Sequence, residues 1–168
     1  DRTFLHELPE RFNLCSYYLD RNLDEGRADK VAVLVGDAAK TYGEIAARVR
    51  ALCATLRRGG LRPEERVLFV LPDGFEFVEA WFAALRAGGV FAMVSPLLKE
   101  KDYRYYLEYT KAAAVFVHAS VAREFAPALA SSRHCRAAYV VGGELEGAVP
   151  FEEAVGAGVA LTELQHVE

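Results

Sequence analysis

Few side chains in this sequence combine reactive chemistry with a suggestive position, and His118 is the foremost. It ends an apolar run, Ala113 to His118, that reads as a β-strand. The carboxyl ends of parallel strands are where α/β sheets bind ligands, so an imidazole there could hold or move a proton. A hydrogen-bonded scaffold histidine is the simpler reading. Ser95 and Ser120 also fall at predicted strand ends, but neither lies in G-x-S-x-G, so a hydrolase nucleophile has little support. Lys99 and Lys101 open a predicted helix, where the dipole disfavours cations. An anionic ligand would explain them, and a solvated helix start explains them more simply. Tyr103, Tyr105, Tyr106 and Tyr109 could line an aromatic pocket, although packing against a sheet is the simpler account.

Other chemistries lack their residues. His6, His118, His134 and His166 are scattered, and His134-Cys135 has no second Cys or His at zinc-ligand spacing, so no metal site is expected. Neither G-x-G-x-x-G nor G-x-x-x-x-G-K-[ST] occurs. The glycine pairs at 59–60, 88–89 and 142–143 each follow a helix or strand and need no ligand to explain them. No catalytic constellation emerges from these residue types and spacings.

The elements that must position these groups are clearer. Arg66 to Leu98 reads as strand, helix, strand. Val67 to Leu71 is a short apolar run suited to a strand covered on both faces. Asp73 is the predicted helix cap, and Phe77, Val78, Trp81, Phe82 and Leu85 form one apolar stripe. Gly88 and Gly89 end the helix, and Val90 to Val94 is a second buried strand.

Upstream, residues 1–12 read as an extended lead-in. A helix begins near Asn13, with Leu14, Tyr17, Tyr18 and Leu23 inward and Asp20, Arg21, Asp24 and Glu25 in water. Val31 to Val35 and Lys40 to Tyr42 suggest a hairpin. Thr41-Tyr42-Gly43-Glu44 fits a capping box, and Ile45, Val49, Leu52, Cys53 and Leu56 line one face of the following helix.

Downstream, a helix over Lys99 to Lys111, a strand to His118, a helix from Val121 to Ala130 capped by Ser120, and a strand over Ala137 to Val141 continue the alternation. Phe151 to Val155 is at most a short helix, and nothing after it closes the domain. Strand and helix alternate over four predicted strands, which argues for an α/β layer with a mostly parallel sheet flanked by helices.

At 168 residues the chain can bury a sizeable core, and its 52% hydrophobic content argues against disorder. A net charge of -4 argues against nucleic-acid or anionic-membrane partners. No apolar run approaches the ~20 residues of a membrane span. The first residues lack signal-peptide order. Cys15, Cys53 and Cys135 are few and far apart, as in a cytoplasmic protein with reduced thiols.

Several stretches resemble the N-terminal portion of the adenylate-forming enzymes, the acyl- and aryl-CoA ligase superfamily. TYGEI at 41–45 is similar to its first core motif, and LRAGGVFAMVSPLL at 85–98 to its second. The stretches 13–33, 62–90 and 95–117 resemble benzoate–CoA ligases in particular. The resemblance implies that residues 1–168 are part of the large N-terminal, AMP-binding domain. It implies ATP, Mg2+ and coenzyme A as cofactors and an aromatic carboxylate as substrate. The carboxylate would be activated as acyl-AMP and transferred to the coenzyme A thiol.

In that superfamily the Ser/Thr/Gly-rich phosphate loop, the nucleotide-binding motifs and the lysine of the C-terminal domain carry the chemistry. None of these is present, the loop being expected just beyond Glu168, so no catalytic residue is carried over and the segment is expected to be inactive alone. The remainder of the same enzyme is the implied partner, and a homodimer is compatible with the sequence. Ser95 stands where aryl-CoA ligases often have asparagine, and Leu97 where some relatives have an arginine suited to coenzyme A phosphates. Lys99 and Lys101 are then the candidates for that contact. Two alternatives stay open: a free-standing α/β binding or structural domain, and another adenylate-forming branch such as a fatty acyl-CoA ligase or a peptide-synthetase adenylation domain.

Overall fold

A computed structural model describes residues 12–164 of the chain, with side chains through 159. The predicted lead-in up to Arg11, His6 and His166 lie outside the described residues. A helical segment made of a π turn, Ser16–Asp20, and α1, Arg21–Asp24, precedes a hairpin of β1, Val31–Val35, and β2, Ala38–Thr41. Then come α2 (Tyr42–Arg58), β3 (Arg66–Val70), α3 (Phe75–Arg86), β4 (Val90–Met93), α4 (Glu100–Thr110), β5 (Ala114–His118), α5 (Ala122–Ser131), β6 (Ala137–Val141), β7 (Val149–Pro150) and α6 (Phe151–Leu164). Among the described residues, no helix is long and apolar enough to cross a membrane.

The main sheet is parallel throughout, five strands in the order β4-β3-β5-β6-β7. Alternation along each strand divides the core. Val67, Phe69, Phe116 and Tyr139 face α2, α3 and α6. Leu68, Val70, Val115, Val117 and Val140 face α4 and α5, where Tyr103, Leu107 and Phe125 meet them. Because both faces are covered, the central strands are continuously apolar, as the sequence suggests. The hairpin forms as expected, and Thr41 and Glu44 make the capping box, with Thr41 N–H donating to Glu44 Oε2 at 2.7 Å.

Several expectations are corrected. In the first helix Cys15 and Leu19 are buried, whereas Leu14 and Tyr18 face water. The period is right and the rotation is one residue off. Polar contacts set that rotation: Asn13 Nδ2 donates to Leu85 O at 2.8 Å, and Arg86 clamps Asp20 at 2.7 Å, so Asp20 is not the free surface carboxylate expected. Gly74, not Asp73, caps α3, and no side chain accepts there. On α3 the fully buried residues are Glu79, Ala80, Ala83 and Ala84, while the aromatic stripe is only half-buried. Small side chains let α3 lie close to its neighbours, and the large ones flank the contact. β4 is an edge strand, not a buried one, with Val90 and Met93 largely exposed.

The largest departure is α6, a helix of fourteen residues where at most a short one is expected. Gly156 and Gly158 weaken the sequence signal because glycine disfavours helix interiors. Gly158 has a packing reason: a Cβ there would collide with the Ala51 carbonyl of α2. Thr55 Oγ1, also on α2, donates to Ala154 O at 2.6 Å. The glycine allows two helix backbones to touch.

A charge network ties these layers together. Glu79, fully buried on α3, accepts from Lys40 Nζ of β2 at 2.6 Å and from Arg48 Nε of α2 at 2.8 Å. Arg48 also grips Glu152 of α6 in bidentate fashion, at 2.6 and 2.9 Å. Burial pulls the Arg48 pKa down, but the hydrogen bonds to Glu152 and Glu79 outweigh it and the net direction is up. Arg48 holds Glu152 below the usual carboxylate value, and the Arg62 N–H with Arg136 does the same for Glu65.

Substitution and acid both probe these ion pairs. Glu79→Gln keeps the shape and removes the buried charge, leaving Lys40 without its carboxylate and Arg48 with Glu152 alone. The expected cost is roughly 3 kcal/mol, the low end for a broken buried pair because both cations still reach water. Urea denaturation measures it, and a loss under about 1 kcal/mol would reduce the network to an ordinary surface pair. Glu152 and Glu65 have folded pKa values depressed below the ordinary 4.5, so their stabilisation is complete above that value and disappears as pH falls through the folded values. Thermal midpoints should therefore drop on acidification below about pH 4.5, and less steeply in Arg136→Gln, which removes one cause of the Glu65 shift.

Candidate functional site

The carboxyl ends of β3, β5 and β6 converge on a cavity of about 230 Å³ lined by Asp73, Glu76, Phe77, His118 and Gly142 among others. The sequence places ligand-binding potential at strand carboxyl ends, and the fold brings those of β3, β5 and β6 together. Ser95-Pro96, after β4, does not line this cavity. Ser95 Oγ accepts from Leu97 N–H at 3.1 Å, and Ser95 O accepts from Tyr103 Oη at 3.3 Å.

His118 is held through Nδ1. Its Nδ1 accepts the Ser120 backbone N–H at 3.1 Å and lies 2.8 Å from Ser120 Oγ. A backbone N–H can only donate, so Nδ1 is the unprotonated nitrogen and Nε2 carries the proton in the neutral ring. Nε2 lies against Gly142, where a Cβ would come within 2.7 Å of it. Gly142 has φ +76°, so glycine is required there for conformation as well as for space. Ser120 therefore does not cap α5 as expected. His118 caps the turn instead, accepting from Ser120.

Ser120 and His118 are a hydroxyl and an imidazole within hydrogen-bond reach, the first requirement of an activated nucleophile. The remaining requirements are unmet among the described residues. The Nδ1 lone pair is already engaged by the backbone, and Nε2 meets a glycine where an orienting carboxylate would be needed. Asp73 and Glu76 line the same cavity and give it acidic character at the start of α3. The cavity offers a donor at His118 and acceptors at Asp73 and Glu76, an arrangement for hydrogen bonding, not for charge stabilisation of a phosphate.

The structure directs Lys99 and Lys101 to different neighbours. Lys99 Nζ sits 3.6 Å from Glu124 of α5, and the Lys99 N–H donates to Asp102 Oδ2 at 3.3 Å. Lys101 shares an open depression with Arg104, Tyr105, Glu108 and Tyr109 and has no ion pair among the described residues. The tyrosines do not form one pocket. Tyr103 is buried edge-on to Phe125, and burial raises its pKa. Tyr105 and Tyr109 are exposed and stack with ring centres 5.5 Å apart.

Cys15, Cys53 and Cys135 are free thiols whose pKa values burial pushes up, that of Cys135 to about 11. Among the described residues no group of three or more His, Cys, Asp or Glu is arranged to hold a metal ion. Sequence reasoning misses the Glu79 network. Its signal is one carboxylate inside the alanine face of α3, at Glu79-Ala80-Ala83-Ala84.

The AMP-binding enzyme family matches residues 19–159. The chain is 32% identical over 151 residues to a benzoate–CoA ligase of Thauera aromatica, covering 89% of this chain and 29% of that protein. It is 31% identical over 131 residues to a 4-hydroxybenzoate–CoA/benzoate–CoA ligase of Rhodopseudomonas palustris, covering 78% of this chain and 24% of that one. The crystal structure of a benzoate CoA ligase from Burkholderia xenovorans superposes with a TM-score of 0.77 at 33% identity, over 88% of this chain and 29% of that chain. The chain thus spans under a third of the length of these relatives. A parallel sheet flanked by helices, a match across most of its residues and this sequence identity agree: the chain belongs to the AMP-binding enzyme family, with the fold of the N-terminal domain of adenylate-forming CoA ligases.

Proposed function

We propose that the chain is the N-terminal part of an ATP-dependent aryl-CoA ligase of the benzoate type. The whole protein would activate an aromatic carboxylate as acyl-AMP, with Mg2+ and release of pyrophosphate, and pass the acyl group to the thiol of coenzyme A in the cytoplasm. The likeness to benzoate–CoA ligases over most of the chain carries this reading. Residues 1–168 would form part of the adenylation domain, with the phosphate loop and the C-terminal domain supplied by other polypeptide.

The residues present support a scaffold role for this segment. A polyphosphate at the strand-end cavity would meet Asp73 and Glu76, so the cavity does not fit ATP by itself. Phosphoanhydride chemistry needs donors aimed at developing negative charge, and carboxylates repel that charge. Coenzyme A phosphates are better served by Lys101, which has no ion pair among the described residues, than by Lys99, where a phosphate would have to displace Glu124. Both lysines are proposed for that contact, with Lys101 the stronger.

Pyrophosphate exchange with the whole protein and a panel of carboxylic acids tests the assignment. Benzoates should support exchange, and the 168-residue chain alone should give none. A response to alkyl or amino acids only would assign another adenylate-forming branch, and exchange by the 168-residue chain would overturn the scaffold role. In the whole protein, Lys101→Ala should raise the coenzyme A requirement about tenfold, the worth of one charge-assisted contact. Adenylation should be spared. Reduced adenylation with unchanged coenzyme A dependence would remove the lysines from the site.

A further inference from the structure

A second cavity, of about 350 Å³, lies where the first helical segment, the hairpin, α2 and α3 meet. Tyr18, Val33, Tyr42, Val78, Trp81 and Phe82 are among its lining residues, so its walls are apolar and aromatic. Polar contacts between residues that do not line the cavity hold those walls in place. On α3, Glu79 takes Lys40 of the hairpin at 2.6 Å and Arg48 of α2 at 2.8 Å. Arg86 of α3 grips Asp20 at 2.7 Å, and Leu85 O accepts from Asn13 Nδ2 at 2.8 Å. α3 is thereby tied to each of the other three walls, and none of these ties depends on what fills the space between them. Protein interiors pack as densely as organic crystals, and an apolar space that its walls cannot collapse into is costly while empty.

The chain arrives at the rim of this cavity. Phe12, the first described residue, packs against Tyr17 with ring centres 5.3 Å apart, and Tyr17 meets Tyr18 edge-on at 5.0 Å. Phe12 is 40% exposed and Tyr18 53%, so an apolar track leads from Phe12 to the cavity. Residues 1–11, DRTFLHELPER, precede Phe12 and carry three large apolar side chains, Phe4, Leu5 and Leu8. At ~3.5 Å per residue, an extended chain carries Leu8 up to about 14 Å and Phe4 up to about 28 Å from Phe12. The cavity lies two ring contacts away, well within that reach.

We propose that this lead-in docks on the cavity, with Phe4 and Leu5 as the side chains that fill it. Chain continuity names the occupant. A second copy offers the same segment, but a tethered one acts at an effective concentration of about a millimolar, far above that of free protein. The lead-in then straps the first helical segment and the hairpin onto α3 through apolar contacts, alongside the ion pairs of Glu79 and Arg86.

Photo-crosslinking in the whole protein tests this, and its readout does not depend on activity. With p-benzoylphenylalanine in place of Phe4, adducts should form within one chain on lining residues such as Val33, Val78 or Trp81. Adducts only elsewhere, or none, overturn the proposal. Adducts between chains overturn it too, in favour of a second copy. Thermal midpoints give an independent reading. Phe4→Ala and Val78→Ala should each lower the midpoint of the whole protein by about 2 °C or more. The double variant should lose less than the sum, because both changes remove the same contact. An unchanged midpoint in Phe4→Ala, or strictly additive losses, counts against the docked lead-in.

Discussion

A carboxylate without water is the constraint on which the rest of the architecture depends. Glu79 sits among alanines on α3, and an isolated charge there would be prohibitively costly. Lys40 and Arg48 must therefore both arrive within hydrogen-bond distance. Lys40 lies on the hairpin and Arg48 on α2, so satisfying one carboxylate fixes the hairpin and α2 on α3 at once. Arg48 then extends the chain of charge to Glu152 and fixes α6 as well. Residues 40, 48, 79 and 152 are spread along the sequence, and the cost of leaving Glu79 unpaired selects a single mutual docking. Hydrophobic burial alone would hold these elements together while fixing their register far less tightly.

The layer so fixed differs in kind from the layer across the sheet. On the α4 and α5 side the buried core is apolar, with Tyr103, Leu107 and Phe125 closing over Leu68, Val115 and Val117, and polar contacts such as Lys99 with Glu124 and Arg104 with Ser131 lie at the surface. On the α2, α3 and α6 side close backbone approach matters, through the alanines of α3 and Gly158 of α6. The strand ends inherit this rigidity. His118 and Gly142 touch because β5 and β6 are in register up to His118 and Val141, and only a glycine leaves room for the imidazole.

The apolar periodicities are legible from the chain, because burial on one or both faces leaves a signal in residue order. The capping box at Thr41 appears where its pattern places it, and the runs Val67 to Leu71 and Ala113 to His118 form strands within a residue of those bounds. Quantities set by distant partners are not legible. The rotation of the first helix depends on Arg86 and Leu85, some seventy residues on. The apolar run of β4 reads the same whether the strand is central or at the edge of the sheet. Gly158 reads as a helix breaker until Ala51 is seen beneath it. Local propensity and tertiary contact disagree there, and the contact decides.

The candidate site shows the same division. His118 and Ser120 stand out in the sequence because they are polar residues after an apolar strand, and the structure uses that polarity within the turn itself. A catalytic imidazole needs one nitrogen free for the reacting group and the other oriented by an acceptor. Here Nδ1 accepts from the backbone, so in the neutral ring Nε2, packed against Gly142, carries the proton and can donate but cannot act as a base. The groups at the mouth of the sheet are thus committed to shape. On the reading proposed above, such a segment is a supporting wall, and charge-stabilising donors would come from other polypeptide.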